Sequence, residues 1–102
     1  MEIYANDDLV GFTMYEPRGN DVFSVHRFMI DKRYQRQGTG FRAMQLVMKS
    51  ISSRGGKTIY LSFRSDNVCA KRLYDKLGFT FHEEEPDGEL IYRFGAARAF
   101  AT

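Results

Sequence analysis

A basic turn with two glycines lies between an apolar stretch and an amphipathic one. The turn consists of Gln35, Arg36, Gln37, Gly38, Thr39 and Gly40, and Phe41 opens the segment that follows. Where a strand turns into a helix, the first helical N–H groups have no acceptor, and the helix dipole makes that end electropositive. Gly38 and Gly40 lack a Cβ atom, so a bulky anion can approach the backbone closely. These features predict a site for a phosphate-containing ligand.

Three kinds of phosphate-binding loop can be compared with this turn. A Walker A loop is excluded, because Gly40 is not followed by Lys and then Ser or Thr. The dinucleotide pattern G-x-G-x-x-G/A is met by Gly38, Gly40 and Ala43, with Asp66 available to bind a ribose. The pattern Gln/Arg-x-x-Gly-x-Gly/Ala is met in full. On the turn alone, an ordinary strand–helix connection without a ligand is an equal alternative.

A second pattern lies beyond the next predicted strand. Residues 67–79 read Asn-Val-Cys-Ala-Lys-Arg-Leu-Tyr-Asp-Lys-Leu-Gly-Phe, which fits N-x-x-A-x-x-L-Y-x-x-x-G-F. The two patterns, in this order and at this spacing, resemble the GCN5-related N-acetyltransferase (GNAT) superfamily over residues 2–94. The residues within these two patterns are most similar to those of bacterial polyamine and diamine N-acetyltransferases.

Hydrophobic periodicity predicts the elements that carry these patterns. Strands are expected at 2–5, 9–15, 22–30, 58–63, 79–83 and 90–94, with a loop at 17–20. One helix runs from the glycine turn to Ser53, and a second runs from cap candidates at 65–67 to Leu77, before Gly78. The apolar face of the first helix consists of Phe41, Met44, Val47, Met48 and Ile51.

The order of elements, β-β-β-α-β-α-β-β, indicates a mixed α/β (α+β) fold. We expect a mixed, mostly antiparallel sheet in a single GNAT-like domain over residues 1–95, with 96–102 as a tail. Alternation along the third strand divides its side chains between two faces. One face carries Val22, Ser24, His26, Phe28 and Ile30, and the other carries Phe23, Val25, Arg27 and Met29.

Composition narrows the class of protein. A chain of 102 residues with 43% hydrophobic content suits one globular domain with a modest core. A net charge of +2 is too small to indicate nucleic acid, and no apolar stretch is long enough to span a membrane. The N-terminus shows no signal peptide, so the cytoplasm is the expected compartment. The single cysteine, Cys69, excludes an internal disulfide and a cysteine-based metal site.

The resemblance implies acetyl-CoA as the cofactor and acetyl transfer to a small primary amine, such as a polyamine, by direct attack in a ternary complex. It implies a general acid in Tyr74, which would protonate the departing thiolate; a core tyrosine is the alternative that spacing favours. The implied cofactor-binding residues are Phe28, Met29 and Ile30 on the strand, the turn from Gln35, Arg36 and Gln37 to Gly38, Thr39, Gly40 and Phe41, and Asn67, Lys71 and Arg72 beyond it.

His26 stands where some polyamine-type members carry a glutamate, nine residues before the loop. An imidazole has an ordinary pKa of about 6.5, so His26 could accept the proton of the amine. A structural histidine on a strand is an equal alternative. An acidic run could attract a cationic amine or simply form a solvated surface; it comprises Glu83, Glu84, Glu85, Asp87 and Glu89.

The family domain normally opens with a strand and two helices, and this chain begins at what resembles the second strand. We therefore expect an uncovered apolar sheet face that a second copy covers in a homodimer or higher oligomer. A non-catalytic acyl-CoA-binding or regulatory module is the alternative function, followed by a dinucleotide-binding fragment.

Overall fold

The computed structural model describes residues 1–5, 8–35 and 38–95, except for the side chains of Ala5 and Arg27. The strands are β1 (Glu2–Ala5), β2 (Asp8–Gly19), β3 (Val22–Ile30), β4 (Thr58–Arg64), β5 (Thr80–Glu84) and β6 (Glu89–Phe94). The helices are α1 (Thr39–Ser53) and α2 (Val68–Leu77), with a 3₁₀ turn at Lys32–Tyr34 before α1. The predicted fold class and order of elements are confirmed. Two of the implied ligand-binding residues, Arg36 and Gln37, and the predicted tail at 96–102 lie outside the described residues.

The six strands form one sheet in the order β1-β2-β3-β4-β6-β5. Every neighbouring pair is antiparallel except β3 and β4, which α1 connects by a crossover. The parallel pairing runs only from Val22 opposite Thr58 to Val25 opposite Leu61. Beyond Val25 the two strands are no longer paired, so a gap opens in the middle of the sheet, next to the N-terminal ends of both helices.

The core lies between the helices and one face of the sheet. Met44, Val47 and Ile51 of α1 are completely buried. They belong to one cluster with Ile59, Leu61 and Phe63 of β4 and with Tyr74, Phe79 and Tyr92. The face of α1 is turned slightly from the prediction: Ala43 is buried, whereas Phe41 and Met48 are only partly buried.

A β-bulge interrupts β3 at His26. Met14 of β2 pairs with Arg27, but the next residue, Tyr15, pairs with Val25, so His26 has no partner on β2. An extra residue of this kind bends a strand and changes the direction of its side chains.

The bulge makes the predicted alternation of β3 wrong. Strict alternation places Phe28 and Ile30 opposite Phe23 and Val25. In the structure all four residues pack against the same core. The single extra residue inverts the parity of the strand, which no period-2 pattern anticipates.

The predicted loop at 17–20 is also wrong, since β2 continues to Gly19 and only a tight turn at 20–21 follows. Pro17 pairs with Phe23, and the register shifts between Pro17 and Gly19. A proline has no N–H to donate, and strands accommodate it at such irregular positions.

The opposite face of β1, β2 and β3 carries exposed apolar side chains. Phe12 and Met29 are register partners on this face, and Met14 lies two residues from Phe12. We call Tyr4, Phe12, Met14 and Met29 the open apolar face; between 40% and 57% of each residue is exposed. Within the described parts of the chain, neither helix combines the length and hydropathy needed to cross a bilayer.

Candidate active site

A cleft of about 580 Å³ lies where β3 and β4 separate. Sequence-predicted site residues that line it are His26, Phe28, Ile30, Gln35, Gly38, Gly40, Phe41, Asn67, Arg72 and Tyr74. The cleft therefore brings both sequence patterns and the bulged strand together. Met29, Thr39 and Lys71 do not line it, whereas Ser62, Cys69 and Lys76, which were not predicted, do.

The last two residues of the glycine turn, Thr39 and Gly40, are the first two residues of α1. Gly38 is the N-cap, with φ of 75°, and no side chain caps the helix. The first α-helical hydrogen bond runs from the N–H of Arg42 to the carbonyl of Gly38, at 3.1 Å. The N–H groups of Thr39, Gly40 and Phe41 precede that bond and have no acceptor within the helix. Thr39 can thus face a ligand through its backbone although its side chain is buried away from the cleft.

Backbone direction distinguishes the three strand residues at 28–30. The N–H of Asp31 donates to the carbonyl of Val10 on β2, at 2.6 Å. Since successive residues present their backbone groups to opposite strand edges, those of Met29 also face β2. The N–H groups of Phe28 and Ile30 consequently face the cleft.

The side chain of Gln35 connects the turn to the end of β3. Its Nε2 donates to the carbonyl oxygen of Ile30, at 2.9 Å. The expectation that all backbone groups at 28–30 are available to a ligand is therefore wrong. The carbonyl of Ile30 already accepts the hydrogen bond from Gln35, and the backbone of Met29 pairs with β2.

Among the described residues, helix α2 supplies positive charge to the cleft from two positions one turn apart. Arg72 and Lys76 line the cleft, and Lys76 Nζ lies 5.1 Å from the centroid of the Phe41 ring. Lys71 instead pairs with Asp75, at 2.7 Å, and this contact raises the pKa of Lys71. The spacing of Lys76 from Arg72, four residues, is the signal that sequence analysis missed.

Asn67 caps α2. Its Oδ1 accepts a hydrogen bond from the N–H of Ala70, at 3.0 Å, which satisfies one of the first helical donors. Asn67 also lines the cleft. The amide nitrogen of its side chain is the atom left to bond a ligand there.

Tyr74 is 7% exposed. Its ring packs against Phe63 and Phe79, with centroid distances of 5.4 and 5.6 Å. Burial raises the pKa of Tyr74 to about 12, so the phenol is protonated at neutral pH. Within the described residues its hydroxyl makes no hydrogen bond, and the residue lines the cleft. Tyr74 is thus a core tyrosine and a cleft residue at once.

His26 is held by a glutamate that sequence analysis missed. His26 Nε2 lies 2.8 Å from Glu16 Oε1, and Arg18 Nη1 donates to the same oxygen at 3.3 Å. These two contacts lower the pKa of Glu16, the hydrogen bond with His26 contributing most. Only the bulge brings Glu16 and His26 together, so no spacing in the sequence indicates the pair.

A second cavity, of about 500 Å³, lies on the side of the sheet away from the helices, and we call it the open-face cavity. It shares His26, Ser62 and two neighbouring residues with the cleft, so the two cavities meet at the gap between β3 and β4. Of the five acidic residues at 83–89, only Glu83 and Glu85 line this open-face cavity. A bulge at His82 shifts the register of β5 just before Glu83.

Comparison with known proteins agrees with this geometry. The profile of the Acetyltransferase (GNAT) family matches residues 1–79. The chain belongs to this GNAT family. Solved structures share the fold: the PaiA N-acetyltransferase of Thermoplasma acidophilum, in complex with coenzyme A, superposes with a TM-score of 0.82 at 18% identity, over 93% of this chain and 58% of that one. The ribosomal-protein-S18-alanine N-acetyltransferase of Escherichia coli gives 0.78 at 24% identity, over 97% of this chain and 70% of that one.

Two curated GNAT relatives differ in the acceptor in their names. The spermine/spermidine N(1)-acetyltransferase of Bacillus subtilis is 37% identical over 98 residues, covering 87% of this chain. The [ribosomal protein bS18]-alanine N-acetyltransferase of Escherichia coli is 34% identical over 59 residues, covering 58% of this chain. The chain spans 64% of the length of the first relative and 40% of the second.

Proposed function

We propose that this GNAT chain binds acetyl-CoA in the cleft and transfers the acetyl group to a small primary amine, with polyamines as the acceptor class. One observation carries the proposal: the gap between β3 and β4 places the glycine turn, the inward-facing N–H groups of β3 and the protonated Tyr74 around one cleft. The names of the curated relatives support acetyl transfer, and the better-covered relative is a polyamine enzyme.

The residues of the cleft fit a coenzyme A pyrophosphate. Three consecutive N–H groups at 39–41 point out of the start of α1, and Arg72 and Lys76 add positive charge. Gly38 has a φ of +75°, which favours glycine there, while a Cβ at this position would meet only the end of the flexible Arg42 side chain, at 3.2 Å from Nη1. When bound, acetyl-CoA supplies the activated acyl group as a thioester.

Two groups of residues in the cleft then act on the thioester, one on its carbonyl oxygen and one on its sulfur. The N–H groups of Phe28 and Ile30 face the cleft and donate to the acetyl carbonyl and the pantetheine arm, which stabilises negative charge on the carbonyl oxygen. Tyr74 donates its proton to the departing sulfur. Burial raises the pKa of Tyr74, so its phenol stays protonated at neutral pH and has a proton to donate.

The acceptor amine approaches from the open-face cavity. Glu83 and Glu85 give this cavity two carboxylates, and the ring of Tyr60 stacks edge-on against His82 beside them. Carboxylates and an aromatic ring suit a chain with several ammonium groups. These features favour a polyamine over a protein N-terminus, the acceptor named for the bS18 relatives.

Acetyl-CoA titration followed by an amine tests this function. Calorimetry should detect acetyl-CoA binding with no comparable heat from NADH, and free thiol should appear only after spermidine is added. Tyr74→Phe should lower kcat by about 10²-fold, the lower range for a general acid, and leave acetyl-CoA affinity unchanged. Tyr4→Phe, on the open apolar face, is the matched control. Binding without turnover over a panel of amines would favour the acyl-CoA-binding module, and absence of binding would refute the proposal.

We also propose that a second copy covers the open apolar face. Four large apolar side chains on one sheet face are exposed to solvent, and burying such a surface stabilises association. Light scattering should show a dimer, and Phe12→Lys should convert it to a monomer. A monomer at all concentrations would exclude the homodimer.

A further inference from the structure

His26 lies where β3 leaves β4, and it is the first residue beyond the last parallel pair, Val25 with Leu61. The bulge removes its ring from the regular alternation of the strand. As a result the ring borders both the cleft and the open-face cavity. It is therefore placed between the site proposed for the thioester and the side from which the amine approaches.

Glu16 determines which nitrogen of this ring can act as a base. A carboxylate can only accept hydrogen bonds, so a neutral imidazole 2.8 Å away must donate from Nε2. The low pKa of Glu16 keeps it ionised at neutral pH. The tautomer of a histidine follows from the hydrogen bond that one of its nitrogens makes, so the lone pair is left on Nδ1.

We propose that Glu16 is a positioning residue for acetyl transfer: it keeps the proton of neutral His26 on Nε2, so that Nδ1 accepts a proton from the ammonium form of the acceptor. This inference rests on the proposed function. The neutral amine then attacks the thioester carbon; the N–C bond forms, the C–S bond breaks and Tyr74 protonates the sulfur. The surplus proton on the new amide nitrogen restores the phenol, and the imidazolium returns its proton to solvent. Glu16 stabilises that imidazolium without taking the proton.

Other charged groups surround the pair without replacing it. Arg18 of β2 shares the Oε1 atom of Glu16 at 3.3 Å, which weakens the field that Glu16 exerts on His26. Glu83 of β5 and Glu85, just after that strand, line the open-face cavity with His26, and Tyr74 of α2 lines the cleft with it. Glu16 alone of the described carboxylates lies within hydrogen-bond distance of the His26 ring.

A double-mutant cycle tests the positioning role. His26→Ala should lower kcat by about 10²-fold, and Glu16→Ala should lower it at least tenfold with the acetyl-CoA KM unchanged. The double variant should be no slower than His26→Ala, because Glu16 acts only through His26. Glu16→Gln keeps an acceptor oxygen and should recover part of the loss, whereas Glu84→Ala, which leaves both cavities intact, should match the parent chain. Full kcat in Glu16→Ala, or losses that multiply in the double variant, would overturn the proposal.

The ring tautomer gives a readout that needs no turnover. Two-bond ¹H–¹⁵N correlation at a pH where the ring is neutral should show His26 protonated on Nε2, with mixed tautomers in Glu16→Ala. The His26→Ala spectrum assigns the signal against His82. A parent ring protonated on Nδ1 would overturn the proposal even in an active enzyme. An Nε2–H ring in a chain that acetylates no amine would refute the proposed function, and would reduce the pair to a structural hydrogen bond.

Discussion

The side-chain amide of Gln35 donates a 2.9 Å hydrogen bond to the carbonyl oxygen of Ile30. This bond spans the 3₁₀ turn at Lys32–Tyr34, whose own cap is the carboxylate of Asp31, which accepts from the N–H of Arg33 at 2.9 Å. The last residue of β3 and the first residue of the glycine turn are thereby held together. The strand that would bind the acyl group and the loop that would bind the pyrophosphate are thus one structural unit.

Removing the Gln35 amide should loosen that unit. A hydrogen bond of this kind contributes about 0.5–1.5 kcal/mol, so Gln35→Ala should weaken acetyl-CoA binding about 2- to 10-fold. Gln45→Ala, at an exposed position on α1, is the matched control and should bind normally. Calorimetric titration measures both. Equal affinities for the two variants would show that Gln35 does not organise the loop.

Gly38 should be required for its backbone conformation and for ligand binding. Its φ of 75° costs an L-residue about 1–2 kcal/mol, so Gly38→Ala should lower the free energy of unfolding by that amount. Gly55, at the other end of α1, has φ of 88° and open space at its Cβ position. Gly55→Ala should therefore lose similar stability yet keep its acetyl-CoA affinity, whereas Gly38→Ala should bind about tenfold more weakly, a loss of about 1.4 kcal/mol. Urea unfolding and calorimetry separate the two effects, and parallel losses of affinity would contradict this assignment.

Burial of Tyr74 should make stability depend on alkaline pH. Its pKa is about 12 in the folded chain and about 10 in an unfolded chain. The stabilisation that depends on the neutral phenol is therefore complete below pH 10 and is lost as the pH rises from about 10 to 12. Relative to Tyr74→Phe, the parent chain should lose about 1.4 kcal/mol of unfolding free energy between pH 9 and pH 11. Urea unfolding at each pH measures this difference, and Tyr4→Phe, which should not alter the pH dependence, is the control. Parallel curves of unfolding free energy against pH for the parent chain and Tyr74→Phe would disprove the prediction.

The two carboxylates of the open-face cavity should select the charge of the acceptor. Neutralising both in Glu83→Gln/Glu85→Gln should raise the KM for spermidine about tenfold, because two solvent-exposed ion pairs of about 0.7 kcal/mol each sum to about 1.4 kcal/mol. The KM for a monoamine should change little. Glu84→Gln removes a neighbouring charge that does not line the cavity and should behave like the parent chain. If the double variant and Glu84→Gln raise the KM equally, the effect would be general electrostatic attraction and not a subsite.

Local patterns in the chain predicted most of the fold and part of the site. The glycine turn, the Asn67 cap and the stop at Gly78 depend on interactions within a few residues, and each lies where its pattern places it. Arg72 and Lys76 lie one turn apart on the helix that begins at that cap, so their common orientation toward the cleft also follows from helical spacing, whereas Tyr74 lies on a different face and lines the cleft from the core side.

The amino-acid sequence by itself determined the order of strands and helices and the two patterns that identify the GNAT family, because helix periodicity and turn chemistry are local properties. Only the tertiary structure decided that His26 is bulged, that Glu16 is its partner and that Glu83 and Glu85 face a cavity while Glu84 does not. Each of these outcomes depends on register between strands, and one extra residue in a strand inverts every side chain beyond it. Such a shift costs little locally, so packing of the whole sheet against α1 and α2 determines it.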